Sequence, residues 1–144
     1  NHAALAGTRA AVDYIAGLGA GASRRERVVD TMTRLAACEH ALAATLYDGL
    51  GDIPGVTVIG PSFVSRHRAP TVSFVTEGWD PVDVCRHLAE RAICAWDGHF
   101  YAIRPMEVLG LLERGGVTRL GISLYNTEAE IRRVLSALRE LTAG

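Results

Sequence analysis

Lysine is missing from this chain. All fifteen basic residues among its 144 are arginine. A coding bias toward arginine and alanine accounts for the pattern, but its chemical consequence stands regardless: no lysine amine is available to form a Schiff base with a carbonyl. Cysteine is scarce, at three. Cys38, Cys85 and Cys94 are odd in number and irregular in spacing, which argues against a disulfide framework or a zinc site and predicts small buried hydrophobes. No apolar run approaches the ~20 residues of a membrane span, and no segment has the basic-then-apolar pattern of a secretory signal. The net charge of -1 gives no reason to expect nucleic acid or an anionic membrane as partner. The expectation is a soluble, cytoplasmic protein.

Signatures of several enzyme classes are missing too. His2, His40, His67, His87 and His99 form no HxxxH or HExxH pair. Cys85-Arg86-His87 would point neighbouring side chains to different sides of a helix, so no metal site is expected. The G-x-S-x-G elbow of a serine hydrolase is absent, as is a P-loop. Gly17-Leu18-Gly19-Ala20-Gly21-Ala22 loosely has dinucleotide-loop spacing, but it follows a helix and not a strand. It reads as a hinge or helix break.

What is present is apolar periodicity. With 49% hydrophobic residues, the chain can bury a core of its own. Residues 2 to about 17 predict an alanine-rich helix with Leu5, Val12 and Ile15 as apolar contacts. Ser23 opens a second helix, and Glu26 stands in capping-box position. Val28, Met32, Leu35, Leu42 and Leu46 form a stripe toward Leu50, a rod of roughly 40 Å. Arg24, Arg25, Arg27 and Arg34 read as its solvated face. Residues 1–50 thus read as linking helices and 51–144 as a small α/β domain.

In that domain Val56–Ile59, Thr71–Val75, Ile93–Trp96 and the stretch from Val117 read as strands. Asp80-Pro81 starts a helix that ends near Arg91. Pro105 opens a short one through about Leu112. Thr127 and Glu130 form a capping box on the last helix, whose buried stripe is Ile131, Val134, Leu135, Leu138 and Leu141. The fold class is α/β (α+β): a small, mainly antiparallel or mixed sheet with helices on one face, preceded by a long linking helix.

Two segments could carry chemistry. On a strand from Val117, alternation puts Thr118, Leu120, Ile122 and Leu124 on one face, and Val117, Arg119, Gly121 and Ser123 on the other. That second face combines a guanidinium with small residues, a setting suited to bidentate binding of a carboxylate or phosphate. The alternative is a strand with one solvated arginine. The other segment is Trp96-Asp97-Gly98-His99-Phe100-Tyr101-Ala102. His99 can act as acid or base near neutral pH, and Tyr101 can donate a hydrogen bond. An aromatic loop that merely packs on the domain is the other reading. Arg66-His67-Arg68 reads as a solvated loop.

Taken together, Gly98-His99-Phe100-Tyr101-Ala102 and the run from Arg119 through Tyr125-Asn126-Thr127 to Glu130 resemble the C-terminal part of class V aminotransferases. Within that family they resemble the cysteine desulfurase and selenocysteine lyase branch. Asn1-His2 through Leu5-Ala6-Gly7, Val12-Asp13-Tyr14-Ile15, Ile53-Pro54-Gly55-Val56 and Ala69-Pro70-Thr71-Val72-Ser73-Phe74 also fit, so the resemblance covers essentially the whole chain. It implies the small domain of a fold-type I pyridoxal phosphate enzyme. The cofactor-bearing lysine would sit on a large domain absent from this chain, and the whole enzyme would usually be a homodimer acting on an amino acid.

The resemblance gives Arg119 the substrate α-carboxylate and puts His99 and Tyr101 in the pocket near the reacting carbon. It also exposes a departure. Desulfurases of this type carry R-x-G-H-x-C, with the cysteine accepting sulfur; Trp96 stands at the arginine position and Tyr101 at the cysteine position. A phenol cannot carry a persulfide, so the chain resembles a branch that keeps the scaffold without the cysteine. Cys94 is expected to belong to a strand. Transamination, β-elimination and racemisation stay open. The chain alone, without lysine, is expected to be inactive, and a non-catalytic binding or assembly module is the alternative.

Overall fold

The structure, a computed structural model, describes residues 1–64 and 68–144. Its chain forms two compact units, Asn1–Glu39 and His40–Gly144.

The first unit contains helix α1 (His2–Gly17) and the opening part of α2 (Arg24–Gly51). Asn1 caps α1, its side chain accepting from the Ala4 N–H. The glycine-rich stretch is a break, as expected, and side chains pin it. Asp30 accepts from the Ala20 N–H at 2.9 Å, and Arg34 donates to the Leu18 carbonyl at 2.6 Å. The Ser23–Glu26 capping box forms, and the Ser23 and Ala22 N–H groups hold the Glu26 carboxyl below its ordinary value. The arginine cluster is therefore not simply a solvated face: Arg24 pairs with Asp13 at 2.8 Å and Arg34 with Asp30 at 3.0 Å. Of the three apolar contacts expected on α1, Leu5 and Val12 are exposed and only Ile15 is half-buried.

The second unit is built on a four-stranded antiparallel sheet of β1 (Val56–Ile59), β2 (Thr71–Thr76), β3 (Trp96–Gly98) and β4 (Val117–Gly121), in the order β1-β2-β4-β3. Alternation along β2 turns Val72, Phe74 and Thr76 inward. Register then aligns Val72 with Leu120 and Phe74 with Thr118. Three helical stretches cover this face: the end of α2 (Leu42, Leu46, Leu50), α3 (Pro81–Ala89) and α5 (Glu128–Ala143). His87 Nε2 lies 2.9 Å from the Ala137 carbonyl, tying α3 to α5. The Thr127–Glu130 capping box on α5 is present in full.

The opposite face is covered at one end only. Met106 of α4 (Ile103–Val108) and Leu111 pack on Val117, with Val75 and Ile59 beside them. Arg119, two residues along β4 from Val117, is exposed. Helices therefore lie on both faces, but the second face stays open around Arg119.

Two expected elements are displaced. The strand expected at Ile93–Trp96 begins only at Trp96, because the chain leaves α3 through a Schellman turn. The Ile93 N–H bonds to the Leu88 carbonyl and the Ala92 N–H to the Ala89 carbonyl, with Ala92 left-handed at φ 53. Ile93 plugs the core instead of pairing in the sheet, and Cys94 precedes the strand, exposed. Arg133 closes the turn by donating to the Arg91 and Ala92 carbonyls. A left-handed L-residue costs ~1–2 kcal/mol. Ala92→Gly should accordingly raise stability by ~0.5–1 kcal/mol, after the added flexibility of the unfolded chain is subtracted. A urea or thermal melt with no gain would contradict it. The short helix, expected to open at Pro105 and run to about Leu112, instead spans Ile103–Val108.

Burial also corrects the cysteines: Cys38 and Cys94 are exposed and Cys85 is half-buried. Inside the sheet the Thr76 hydroxyl is buried without a hydrogen-bond partner among the described residues. Leaving a buried donor unsatisfied costs ~1–3 kcal/mol. Thr76→Val, which keeps the shape, should stabilise the protein by ~1 kcal/mol; a loss of stability would mean that the hydroxyl has a partner in solution.

Candidate functional site

Arg119 lies in the middle of a cross-sheet row. Its direct partners are Ser73 on β2 and Trp96 on β3, and directly paired residues share a face. Trp96 is 72% exposed and Ser73 half-buried. Toward one end of the face the next pair is Thr71 and Gly121. The row therefore carries one positive charge flanked by an indole and a hydroxyl. Of the small residues expected beside Arg119, Gly121 is there. Ser123 is not: β4 ends at Gly121, and the Ser123 N–H turns to the Asn126 side chain at 2.8 Å. Leu124 leaves the strand with it and is exposed.

The loop after β3 supplies the third neighbour. Phe100 and Tyr101 both adopt left-handed backbone, at φ 50 and 61, after Gly98 at φ 128. Two consecutive non-glycine residues there are uncommon and persist only where the surroundings enforce them. Three contacts do so. The Ala102 N–H donates to the His99 carbonyl at 2.8 Å. The Tyr101 N–H donates to His99 Nδ1 at 3.1 Å. Phe100 packs on the Met106–Leu111–Val117 cluster. The outcome is a Phe100 ring centred 3.7 Å from the Arg119 guanidinium carbon. An arginine stacked on a ring is held by its face while its in-plane N–H donors stay free. Among the described residues the Arg119 side chain makes no ion pair and no hydrogen bond.

His99 and Tyr101 are both exposed, Tyr101 at 96%. Their rings meet edge-on at 6.2 Å. Among the described residues neither makes a hydrogen bond or ring contact with Arg119; Phe100 between them stacks on it. Because His99 Nδ1 accepts from a backbone N–H, its proton belongs on Nε2 in the neutral ring. Asp97, the carboxylate nearest in sequence, points to the other face. Burial first, then the Asp97 charge and hydrogen bond, push the Cys85 thiol up to about 11. Asp97 therefore does not neutralise Arg119.

Phe100, Trp96 and Ser73 were not singled out as site residues from the sequence. For Ser73 the alternating pattern of β2 was the available signal. The Phe100 contact depends on a backbone conformation that no sequence pattern announces.

A separate cleft of about 300 Å³ opens where residues 92–94 diverge from β4, lined by Leu46, Cys94, Ile122, Tyr125, Glu130 and Arg133 among others. Its two charged groups are engaged. Arg133 caps carbonyls, and Glu130 serves the capping box, its carboxyl held below the ordinary value chiefly by the Thr127 N–H. It does not include Arg119, His99 or Tyr101. Arg66 and His67 lie outside the described residues. Arg68 donates to the Pro61 and Thr71 carbonyls and stacks on Phe63, so it is a structural clamp. Among the described residues no group of His, Cys, Asp or Glu is arranged to hold a metal ion, and no helix is long and apolar enough to cross a membrane.

Comparison with known proteins agrees with this architecture. The chain is 36% identical over 111 residues to a probable cysteine desulfurase of Mycolicibacterium paratuberculosis, covering 77% of this chain and 15% of the relative. It is 33% identical over 136 residues to a probable cysteine desulfurase of Pseudomonas putida, covering 94% and 29%. Among solved structures, the apo cysteine desulfurase of Thermococcus onnurineus NA1 superposes with a TM-score of 0.74 at 30% identity, covering 84% of this chain and 29% of that one. The chain thus spans less than a third of the length of each of these relatives. The family profile for class-V aminotransferases matches residues 1–134. With that match over nearly its whole length, the chain belongs to the class-V aminotransferase family.

Proposed function

We propose that this chain is the small domain of a pyridoxal phosphate-dependent enzyme acting on an amino acid. In this reading Arg119 grips the substrate α-carboxylate, and His99 and Tyr101 line the pocket beside it. The observation that carries the reading is the state of Arg119: exposed on the open sheet face, without a counter-ion among the described residues, and stacked on Phe100 at 3.7 Å. A fixed guanidinium with free in-plane donors is suited to a planar carboxylate.

The residues present do not fit covalent attachment of pyridoxal phosphate, because the chain has no lysine. The anchoring amine belongs to a large domain of the same protein, and this chain contributes substrate positioning. A homodimer and a cytoplasmic setting go with that reading. So does the absence of desulfuration through a cysteine at position 101, where the chain has Tyr101.

The test is amino-acid binding by the full-length protein. Arg119→Ala should weaken it about 10- to 100-fold, the worth of a lost charge-assisted hydrogen-bond pair. Unchanged affinity would remove the role assigned to Arg119. A second reading, a non-catalytic binding or assembly module, is favoured by the exposure of Trp96 at 72%, Tyr101 at 96% and Tyr125 at 74%. Full-length protein that binds amino acids yet never turns them over would support it.

A further inference from the structure

We infer that the Arg119 site selects amino acids with a flat aromatic side chain, and that Trp96 is the residue that reads it. The inference rests on Arg119 as the carboxylate-binding residue. Phe100 lies over the guanidinium at 3.7 Å, so a carboxylate pairs with the in-plane N–H donors that the ring leaves free. The residues that flank Arg119 in the cross-strand row, and so meet the rest of the ligand, are Ser73 and Trp96. Register puts Trp96 directly opposite Arg119 on the same face, with Cβ atoms ~4.5–5.5 Å apart.

The Trp96 indole is not committed to anything else. It is 72% exposed, and among the described residues it makes no ring contact and no side-chain hydrogen bond. The neighbouring positions on this face are Ser73, Thr71, Gly121, Val75 and Val117, all uncharged. Asp97 faces the Cys85 side. Among the described residues the strand positions beside Arg119 thus offer an aromatic plane for a ring to stack on and no carboxylate or second guanidinium to pair with a charged side chain.

The test compares ligand affinities of the full-length protein for phenylalanine, alanine and aspartate. Phenylalanine should bind tightest. The phenylalanine-to-alanine ratio should fall about tenfold in Trp96→Ala, and stay within about twofold of the native ratio in Trp96→Phe, which keeps an aromatic plane. Arg119→Ala should weaken both ligands together. Preference for alanine or aspartate, or a ratio that Trp96→Ala does not move, overturns the inference; an indole covered by the rest of the protein would give that second result. If Arg119→Ala weakens neither ligand, the carboxylate reading itself falls. If it weakens both while the ratio ignores Trp96, only the role of Trp96 is lost.

Discussion

Gly116→Ala is expected to destabilise the second unit by about 3–5 kcal/mol, the range of substitutions that combine backbone strain with a clash against backbone. Gly116 has φ +93, and a Cβ there would lie 2.2 Å from the Gly98 carbonyl oxygen and 2.8 Å from the His99 nitrogen. Neither neighbour is a side chain that can swing away. Gly116 is also buried, so the strand cannot back out toward solvent. Its neighbour Gly115 is the matched control. It too has positive φ, at +81, but nothing lies near its Cβ position. Gly115→Ala should therefore cost only ~1–2 kcal/mol, the left-handed penalty alone. Denaturant melts of the pair would separate the two effects, and equal costs would show that the close approach of Gly116 to the 98–99 backbone does not matter. Gly98 and His99 lead directly into Phe100, whose ring lies 3.7 Å from the Arg119 guanidinium carbon, so a shift of the 98–99 backbone reaches the proposed carboxylate site. Folded Gly116→Ala protein should therefore also bind carboxylates less well.

The second large effect is expected at Phe74, which is fully buried on the inner face of β2. β2 lies between β1 and β4, and Phe74 packs in the cluster that includes Leu46, Leu88 and Leu138. Helices on α2, α3 and α5 all meet the sheet at this cluster, so collapse around a smaller residue is restricted. Phe74→Ala should cost ~3–5 kcal/mol, a large part of a stability that for a single domain is ~5–15 kcal/mol. A cost under ~1 kcal/mol would contradict the assignment of Phe74 to the core centre.

Elements specified by local chemistry were legible in the sequence. Helix α1, strand β1 and both capping boxes fall where periodicity and Ser/Thr–Glu spacing put them. The alternation of β2 puts Val72 and Phe74 on one face, and that face is the buried one. Elements set by tertiary contacts were not legible. Ile93 looks like the start of a strand, yet the turn at Ala92, fastened from α5 by Arg133, diverts it into the core. The sequence also suggests that the Val117 strand runs on through Leu124, but an Asn126 side chain captures the Ser123 N–H and ends it.

The candidate site divides the same way. The exposed face of Arg119 follows from alternation. Its stacking on Phe100 and its register with Trp96 and Ser73 require the assembled sheet and a strained loop. The cysteines show the limit of composition, since residue type alone did not separate the half-buried Cys85 from the exposed Cys38 and Cys94.

The central claim is that Arg119 binds the carboxylate of an amino-acid ligand. The most direct measurement is the affinity of the full-length protein for an amino acid relative to its decarboxylated amine, in native and Arg119→Ala forms. The native protein should prefer the amino acid by about 10- to 100-fold, and Arg119→Ala should bring the ratio close to one by weakening the amino acid alone. An equal preference in both forms would contradict the claim.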